Sequence, residues 1–372
     1  MGTRGVTAPA AAGDDFTVAS CGPDQRAEQA ELFNACFTKS VDAAGLTWRY
    51  DDNPHGRASS FVTRNASSLA VSGYACSPRR MLAGTDESTL AAVGQTGDVM
   101  THPDWRKRGL FSDLDRAAMA ETAGRGWPLV FGLPNRRSAH IFLTLGWERV
   151  GTVRPWCFVL QADSASRAMR HREGRLAGLL TPLAARRGRG ARRRLEGPLE
   201  RFSVVSLDRF PSEVLELSRA TEACHSAMVR RDAEYLNWRF IDSPSGLHRV
   251  LGLFEGGALA AYAVVQVPRP GTPPGGFLVD VLARDTEARH AAVAAGLAEL
   301  DRLGASYVQA TAIDGSSWSE TLERTGFQPP KPDNHLIVIL HVHAPEHPLV
   351  AAARDPAGWY FTDGDRDDET MG

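Results

Sequence analysis

Residues 97–111 read GDVMTHPDWRKRGLF, and the break in the middle of this stretch decides how the chain is laid out. Gly97 to Thr101 read as a short apolar strand. Pro103 cannot donate to a sheet ladder, so the strand ends near His102. Past Gly109, Leu110, Leu114 and the Ala117/Ala118 pair recur at helical spacing, with Gly124 as the stop. Residues 102–109 are therefore a loop entering a helix, and they carry three consecutive cations, Arg106, Lys107 and Arg108. A helix start leaves N–H groups without helical partners and adds the positive end of the helix dipole. A glycine there lets an anion approach the backbone. A pyrophosphate satisfies all of these features.

The chain has 372 residues, enough for two domains of ordinary size. Hydrophobic residues make up 43% and charged residues 23%, which excludes wholesale disorder. A net charge of −2 supplies no basic field to recommend nucleic acid as the main partner. Five cysteines, odd in number and never in a C-x-x-C pair, argue against a disulfide framework or a zinc knuckle and for a reducing cytoplasm. The start MGTRGVTAPAAAGDD lacks the apolar segment of a signal peptide, and no apolar run approaches the ~20 residues needed to span a bilayer. A soluble, cytoplasmic protein is expected.

Residues 1–15 read as a disordered leader. Strands and helices alternate over 16–162: EQAELFNACF (28–37) has helical spacing, SSLAVSGYAC (67–76) reads as a strand, and PLVFGLP (128–134) as a buried central strand. Residues 163–201 are rich in arginine with Gly and Pro punctuation, a helical linker. A second alternating region covers 202–345, and 346–372 form an acidic tail. The second region echoes the first. LTWRYDDNPHG (46–56) resembles LNWRFIDSPSG (236–246), SGYA (72–75) resembles AAYA (260–263), Asp98 stands against Asp280, and TLGW (144–147) resembles RTGF (324–327). Four matches in one order indicate an internal duplication.

The string R-K-R-G-L-F at 106–111 resembles the R/Q-x-x-G-x-G/A acyl-CoA motif of the GNAT superfamily of N-acetyltransferases. FGLPNRRSAHIFLTLGW at 131–147 resembles that family's N-x-x-A/S-x-x-x-Y-x-x-x-G-F segment. With W-R-Y-x-x-N-P-x-G upstream, the pattern over about 40–155 is similar to a bacterial branch associated with surface-polysaccharide or amino-sugar pathways. The resemblance implies an α/β (α+β) fold of two GNAT-like domains, each a mixed, mostly antiparallel twisted sheet flanked by helices, with a splayed central strand pair in the first. It implies acetyl-CoA as co-substrate and no metal. Arg106, Lys107, Arg108, Gly109, Leu110 and Phe111 would hold the pyrophosphate. The amides of Val99, Met100 and Thr101 would face the thioester, and Asn135, Ser138 and Phe142 would line the pantetheine arm.

Two positions depart from the pattern. Phe111 stands where the motif has Gly or Ala. Phe142 replaces the tyrosine that commonly protonates the departing thiolate, so the general acid is unassigned. At fixed offsets, Arg106, Gly109, Asn135 and Phe142 fall against Ala288, Ala291, Gly315 and Leu322, so the second copy is expected not to bind the coenzyme.

The implied reaction is direct attack on acetyl-CoA by a primary amine of a small molecule, such as a nucleotide-linked amino sugar, and it needs a base. Asp98 is the candidate, its structural alternative being a turn-capping carboxylate. Trp48, Arg49, Tyr50 and Asn53 are candidates for the acceptor wall, since rings and a guanidinium suit a sugar bearing phosphate or carboxylate; Trp48 and Tyr50 read equally as core. The alternatives are an aminoacyl-tRNA-dependent peptidoglycan-type transferase, holding tRNA on the arginines of 167–201, or a catalytically silent GNAT-fold binding protein. WYFTDGDRDDE (359–369) mixes aromatics with acids that could receive the acceptor's ammonium group, and reads as a docked or a solvated tail; its D-x-D-x-D string lacks the Gly and distal Glu of a calcium loop. His341, His343 and His347 read as surface histidines.

Overall fold

The computed structural model describes residues 15–161, 190, 197, 199–267, 274–329 and 335–367. The expected leader, apart from Asp15, and most of the expected linker lie outside these residues. The first copy runs β1 (Thr17–Ser20), α1 (Arg26–Cys36), α2 (Ala43–Tyr50), β2 (Ser59–Arg64), β3 (Ala70–Ala83), β4 (Ala91–Thr101), α3 (Leu110–Gly124), β5 (Leu129–Gly132), α4 (Arg136–Thr144) and β6 (Glu148–Val159). The second opens with β7 (Ser203–Ser206), α5 (Val214–Glu222), β8 (Ala227–Val229) and α6 (Ala233–Leu236), which continues into a π-helical turn over Asn237–Ile241. It goes on through β9 (His248–Glu255), β10 (Ala258–Gln266), β11 (Gly275–Ala283), α7 (Thr286–Arg302), β12 (Tyr307–Ile313), α8 (Ser317–Arg324) and β13 (Leu336–Val342). Helix α9 (Pro348–Ala353) and β14 (Trp359–Tyr360) follow.

The main sheet has the order β1-β2-β3-β4-β5-β13-β6-β12-β11-β10-β9-β7. From its centre it reads the same in both directions, which is the duplication expressed as topology. The two copies are not side by side but interlocked. Strand β13 of the second copy lies beside β5 of the first, with Ile339 opposite Gly132, while β6 of the first lies beside β12, with Val159 opposite Tyr307. The exchanged strands pair with each other, Leu336 opposite Val153. The mixed, mostly antiparallel sheets expected for two domains are present, fused into one.

Strands β4 and β5 pair only over Gly94–Thr96 and Val130–Gly132, then part; β11 and β12 do the same beyond Phe277 and Gln309. A splayed pair is therefore present in both copies, whereas it was expected in the first. Next to each opening the ladder slips a residue, between Gly73 and Ala75 opposite Asp98 and Val99, and between Val264 and Val265 opposite Val279, the neighbour of Asp280. Such a bulge re-aims a side chain. Asp98 sits there at φ +48°, a left-handed conformation that Asp tolerates better than most residues.

The core closes over the symmetry centre through Trp48 and Trp238, both 6% exposed and stacked at 4.9 Å. Among the described residues no helix is long and apolar enough to cross a membrane, and all five cysteines are free thiols.

Candidate active site

The N–H of His102 bonds the Val71 carbonyl at 2.9 Å, and Pro103 then ends the ladder. By the two-residue alternation of a strand, Thr101 turns its N–H the other way, toward the opening between β4 and β5. A 3-10 turn over Pro103–Trp105 follows, and left-handed Lys107 (φ +65°) and Gly109 (φ +79°) swing the chain into α3. Glycine adopts that conformation at 109 without the cost a side chain would carry. A Cβ there would meet nothing within 4 Å, so the space over the first helical turn is open. No side chain caps α3. Around this uncapped end Arg106, Lys107 and Arg108 are exposed, with Arg106 Nε donating to Thr101 O at 3.3 Å and the Arg108 guanidinium 4.9 Å from the Trp105 ring centre. The helix thus presents free N–H groups, its dipole and three cations to an anion.

The second copy lacks this device. Only Arg284 and Asp285 separate β11 from α7, and the Asp285 carboxylate accepts from Ala288 N at 2.8 Å. A negative side chain already occupies the helix start. The fixed-offset match of Arg106 to Ala288 and Gly109 to Ala291 fails here, because the loop is shortened by deletion and both alanines are buried helix residues. The expectation that this copy does not bind the coenzyme gains a different physical reason.

The opening between β4 and β5 leads into a cavity of about 370 Å³. Its walls include Thr96 to Val99, Asn135, Ser138 and Phe142 from the sheet and α4, and Phe33, Phe37, Lys39 and Arg49 from the α1–α2 side. A second cavity of about 430 Å³ shares Phe33, Lys39 and Arg49 and reaches Ser243–Ser245 of the other copy. The equivalent opening between β11 and β12 is closed by the chain's own C-terminal segment. Tyr360 donates its hydroxyl to Val281 O, Thr362 Oγ1 donates to Asp280 Oδ1 at 2.7 Å, and Asp363 Oδ2 accepts from Thr311 N at 2.5 Å. Asp365 pairs with fully buried Arg231 at 2.7 Å. Burial pushes the carboxyls of Asp363 and Asp365 up, with the guanidiniums of Arg366 and Arg231 opposing it. This segment is docked, not solvated.

From there the chain crosses back to the first copy. Gln95 Nε2 donates to Asp365 O at 2.5 Å and Arg239 Nη2 to Arg366 O at 2.6 Å. Arg366 and Asp367 then line the first cavity.

Of the residues singled out in the sequence, Arg49, Asp98, Val99, Asn135, Ser138 and Phe142 meet around one cavity. Asn135 Oδ1 accepts from Ser138 N at 3.1 Å, fixing the start of α4. The Met100 side chain is buried with Leu32, Phe33 and Val62, so only its backbone is available. Leu110 is buried, and Phe111 meets Phe142 edge-on at 4.9 Å. The bulk of Phe111 is spent on the core and leaves the phosphate space clear. Phe142 in turn meets Trp147 edge-on at 4.9 Å. Asp98 Oδ2 accepts from both Arg49 Nη1 and the Tyr50 hydroxyl at 2.5 Å. Burial, and after it the Asp98 charge, hold the Tyr50 phenol well above its usual range, so Tyr50 is the donor.

Three acceptor-wall candidates have other work. The Trp48 ring stacks on Trp238, and the residue lines the second cavity rather than the first. Tyr50 is 2% exposed and orients Asp98. Asn53 is buried, its amide donating to Pro78 O at 3.1 Å and its oxygen accepting from His55 N at 3.0 Å. His341 and His343 are half-buried rather than surface residues: His341 lies 5.4 Å from the Trp147 ring, and His343 Nε2 is 3.0 Å from Thr122 Oγ1. Burial pushes both down, His343 to about 4. Nothing in the sequence singles out Phe33, Phe37 and Lys39, whereas Arg366 and Asp367 belong to the 359–369 segment noted there. Most of the 167–201 arginine cluster lies outside the described residues.

Residues 18–150 match the family model of the acetyltransferase (GNAT) domain. No curated protein matches the chain. Among solved structures, a GCN5-related N-acetyltransferase from Anabaena variabilis ATCC 29413 aligns with a TM-score of 0.59 at 12% identity, covering 88% of this chain and 73% of that one. A probable N-acyltransferase from Enterococcus faecalis V583 gives 0.58 at 10%, covering 88% and 72%. A tandem GNAT protein from the clavulanic acid biosynthesis pathway gives 0.55 at 14%, covering 89% of this chain and all of the other. Residues 18–150 are therefore a GNAT acetyltransferase domain, and the chain as a whole has a tandem GNAT fold.

Proposed function

We propose that the chain transfers an acetyl group from acetyl-CoA to a primary amine of a small molecule by direct attack, with Arg106 to Phe111 holding the diphosphate. The observation that carries this reading is the uncapped start of α3, ringed by three exposed cations, beside a cavity that opens between β4 and β5. The pantetheine arm would enter that opening past Asn135 and Ser138. The thioester carbonyl would meet N–H groups on the exposed edge of β4, Thr101 among them; such a preorganised donor is worth about 3–4 kcal/mol in the transition state. Arg49, held by Asp98, favours an acceptor with a phosphate or carboxylate, and a nucleotide-linked amino sugar meets that description. The reading places the protein in the cytoplasm, where acetyl-CoA is made and used.

Phe142 has no proton to give, so the thiolate leaves unassisted by it; a thiolate is a tolerable leaving group near neutral pH. The test is thiol release from acetyl-CoA over a panel of amines that includes UDP- and dTDP-linked amino sugars, amino acids and polyamines. Turnover with an amine supports the proposal. Silence across the panel, or turnover only with aminoacyl-tRNA, overturns it.

A further inference from the structure

The second cavity, of about 430 Å³, is walled by both copies and falls within the size range of small-ligand sites, about 300–1,000 Å³. It adjoins the first cavity at Phe33, Lys39 and Arg49. An acceptor whose amine meets the thioester in the first can therefore extend its other end into the second. The second copy contributes Ser243, Pro244 and Ser245. These stand where the first copy has Asn53, Pro54 and His55, in the matching segments 236–246 and 46–56. The two loops are used differently. Asn53 and His55 are buried and tied to the main chain of β3, Asn53 donating to Pro78 O at 3.1 Å and His55 Nδ1 accepting from Arg80 N at 3.1 Å. Ser243 and Ser245 instead bond each other, Oγ to Oγ at 3.1 Å, and Ser245 Oγ accepts from Leu247 N at a long 3.5 Å. Whichever hydroxyl donates in that pair, one O–H is left over. Trp238, just before this loop, stacks on Trp48, which lines the same cavity, so the loop is held in place against α2.

We propose that Ser243 and Ser245 form a subsite for a sugar ring joined to the amine-bearing part of the acceptor, so that the second copy selects what the first acetylates. The inference rests on the acyl-transfer reading above. A sugar ring presents apolar C–H faces together with several hydroxyls. The cavity answers with the aromatic residues Phe33 and Trp48 and with the hydroxyl residues Ser40, Ser243 and Ser245. A serine hydroxyl both donates and accepts, as a sugar hydroxyl does. A short amine without such a ring leaves these groups to water and gains nothing from the second cavity.

The experiment measures kcat/KM for three amines built on one amino sugar: the free sugar, a disaccharide that contains it, and its UDP conjugate. In the wild type, the disaccharide or the UDP conjugate should exceed the free sugar by at least about tenfold, the size of gain that two or three net hydrogen bonds give. Which conjugate gains tells a glycosyl ring from a nucleoside ribose. Ser245→Trp fills the cavity and should bring the ratio to within about threefold of one, and Ser243→Ala combined with Ser245→Ala should reduce it by at least about threefold. Near-UV circular dichroism checks both folds, and the alanine variant decides if the tryptophan variant is unfolded. A wild-type ratio near one overturns the proposal, and so does a ratio that survives the substitutions. If the wild type acetylates no amine, the acyl-transfer reading fails first and takes this inference with it. If it acetylates other amines and none of these three, this inference alone fails.

Discussion

Trp48 and Trp238 each donate the indole N–H to the other's backbone carbonyl, at 3.1 Å in both directions. Equal and reciprocal bonds are what a two-fold axis imposes on a symmetric dimer, and here the axis lies within one chain. The rings stack at 4.9 Å with 25° between their planes. The W-R-Y and W-R-F segments therefore match because they meet, and their shared role is structural.

Removing either indole opens a cavity and leaves the partner's carbonyl without its donor. Trp48→Ala and Trp238→Ala should each cost about 3–5 kcal/mol of stability. The two share one contact, so the double variant should cost less than the sum of the singles. Urea unfolding measures this; strictly additive losses would show that the rings do not act as a pair.

The exchange of β6 and β13 makes each copy incomplete without the other. A chain of residues 1–161 carries β6 with no β12 or β13 to pair with, and leaves β5 with an open edge. Long unpaired edges template aggregation. Expressed alone, this half should be insoluble or self-associated; co-expressed with residues 199–372, it should co-purify as a one-to-one pair. A soluble, monomeric N-terminal half would contradict the exchange.

The anion site on α3 predicts both affinity and stoichiometry. Gly109→Val forces a β-branched residue into φ +79°, and Arg106→Glu reverses a charge at the uncapped helix end. Both should raise the acetyl-CoA KM by at least about tenfold, a little over 1.4 kcal/mol of lost binding. Calorimetric titration of the wild type should give one site per chain, because Asp285 caps α7 and the C-terminal segment closes the second opening. Two equivalent sites would refute that assignment.

Much of the site was legible because its signals are local. Pro103 and Gly109 punctuate the loop, the spacing from Leu110 to Gly124 marks α3, and PLVFGLP marks β5; the structure places each there. Duplication was legible through tryptophans and glycines that recur in order. Partner choice was not, since nothing in the apolar alternation of β6 or β13 says which strand each will meet. Nor does composition decide whether WYFTDGDRDDE docks. Its acids are buried only because Arg231 and the Thr311 N–H await them, and both are distant in sequence. Asn53 is likewise held by a distant group, the Pro78 carbonyl, together with the nearby His55 N–H. The fixed-offset comparison went astray at α7 because a deletion in the loop leaves no local mark.

Stability should fall on the acid side of neutrality through His248 on β9. Burial and the Arg239 guanidinium push its pKa down to about 4, against an opposing backbone hydrogen bond at Phe240. Unfolded, the ring titrates near 6.5. The unfolded chain therefore binds the proton first, and the contribution of His248 is fully present above about 6.5 and lost as the pH falls toward 4. Between pH 7 and pH 5 the difference is on the order of 1–2 kcal/mol for this residue. His248→Asn removes the titration, so its unfolding free energy should drop less than the wild type's over that interval. Urea melts of both proteins at the two pH values give the comparison. Equal drops would mean that His248 is not held neutral in the fold.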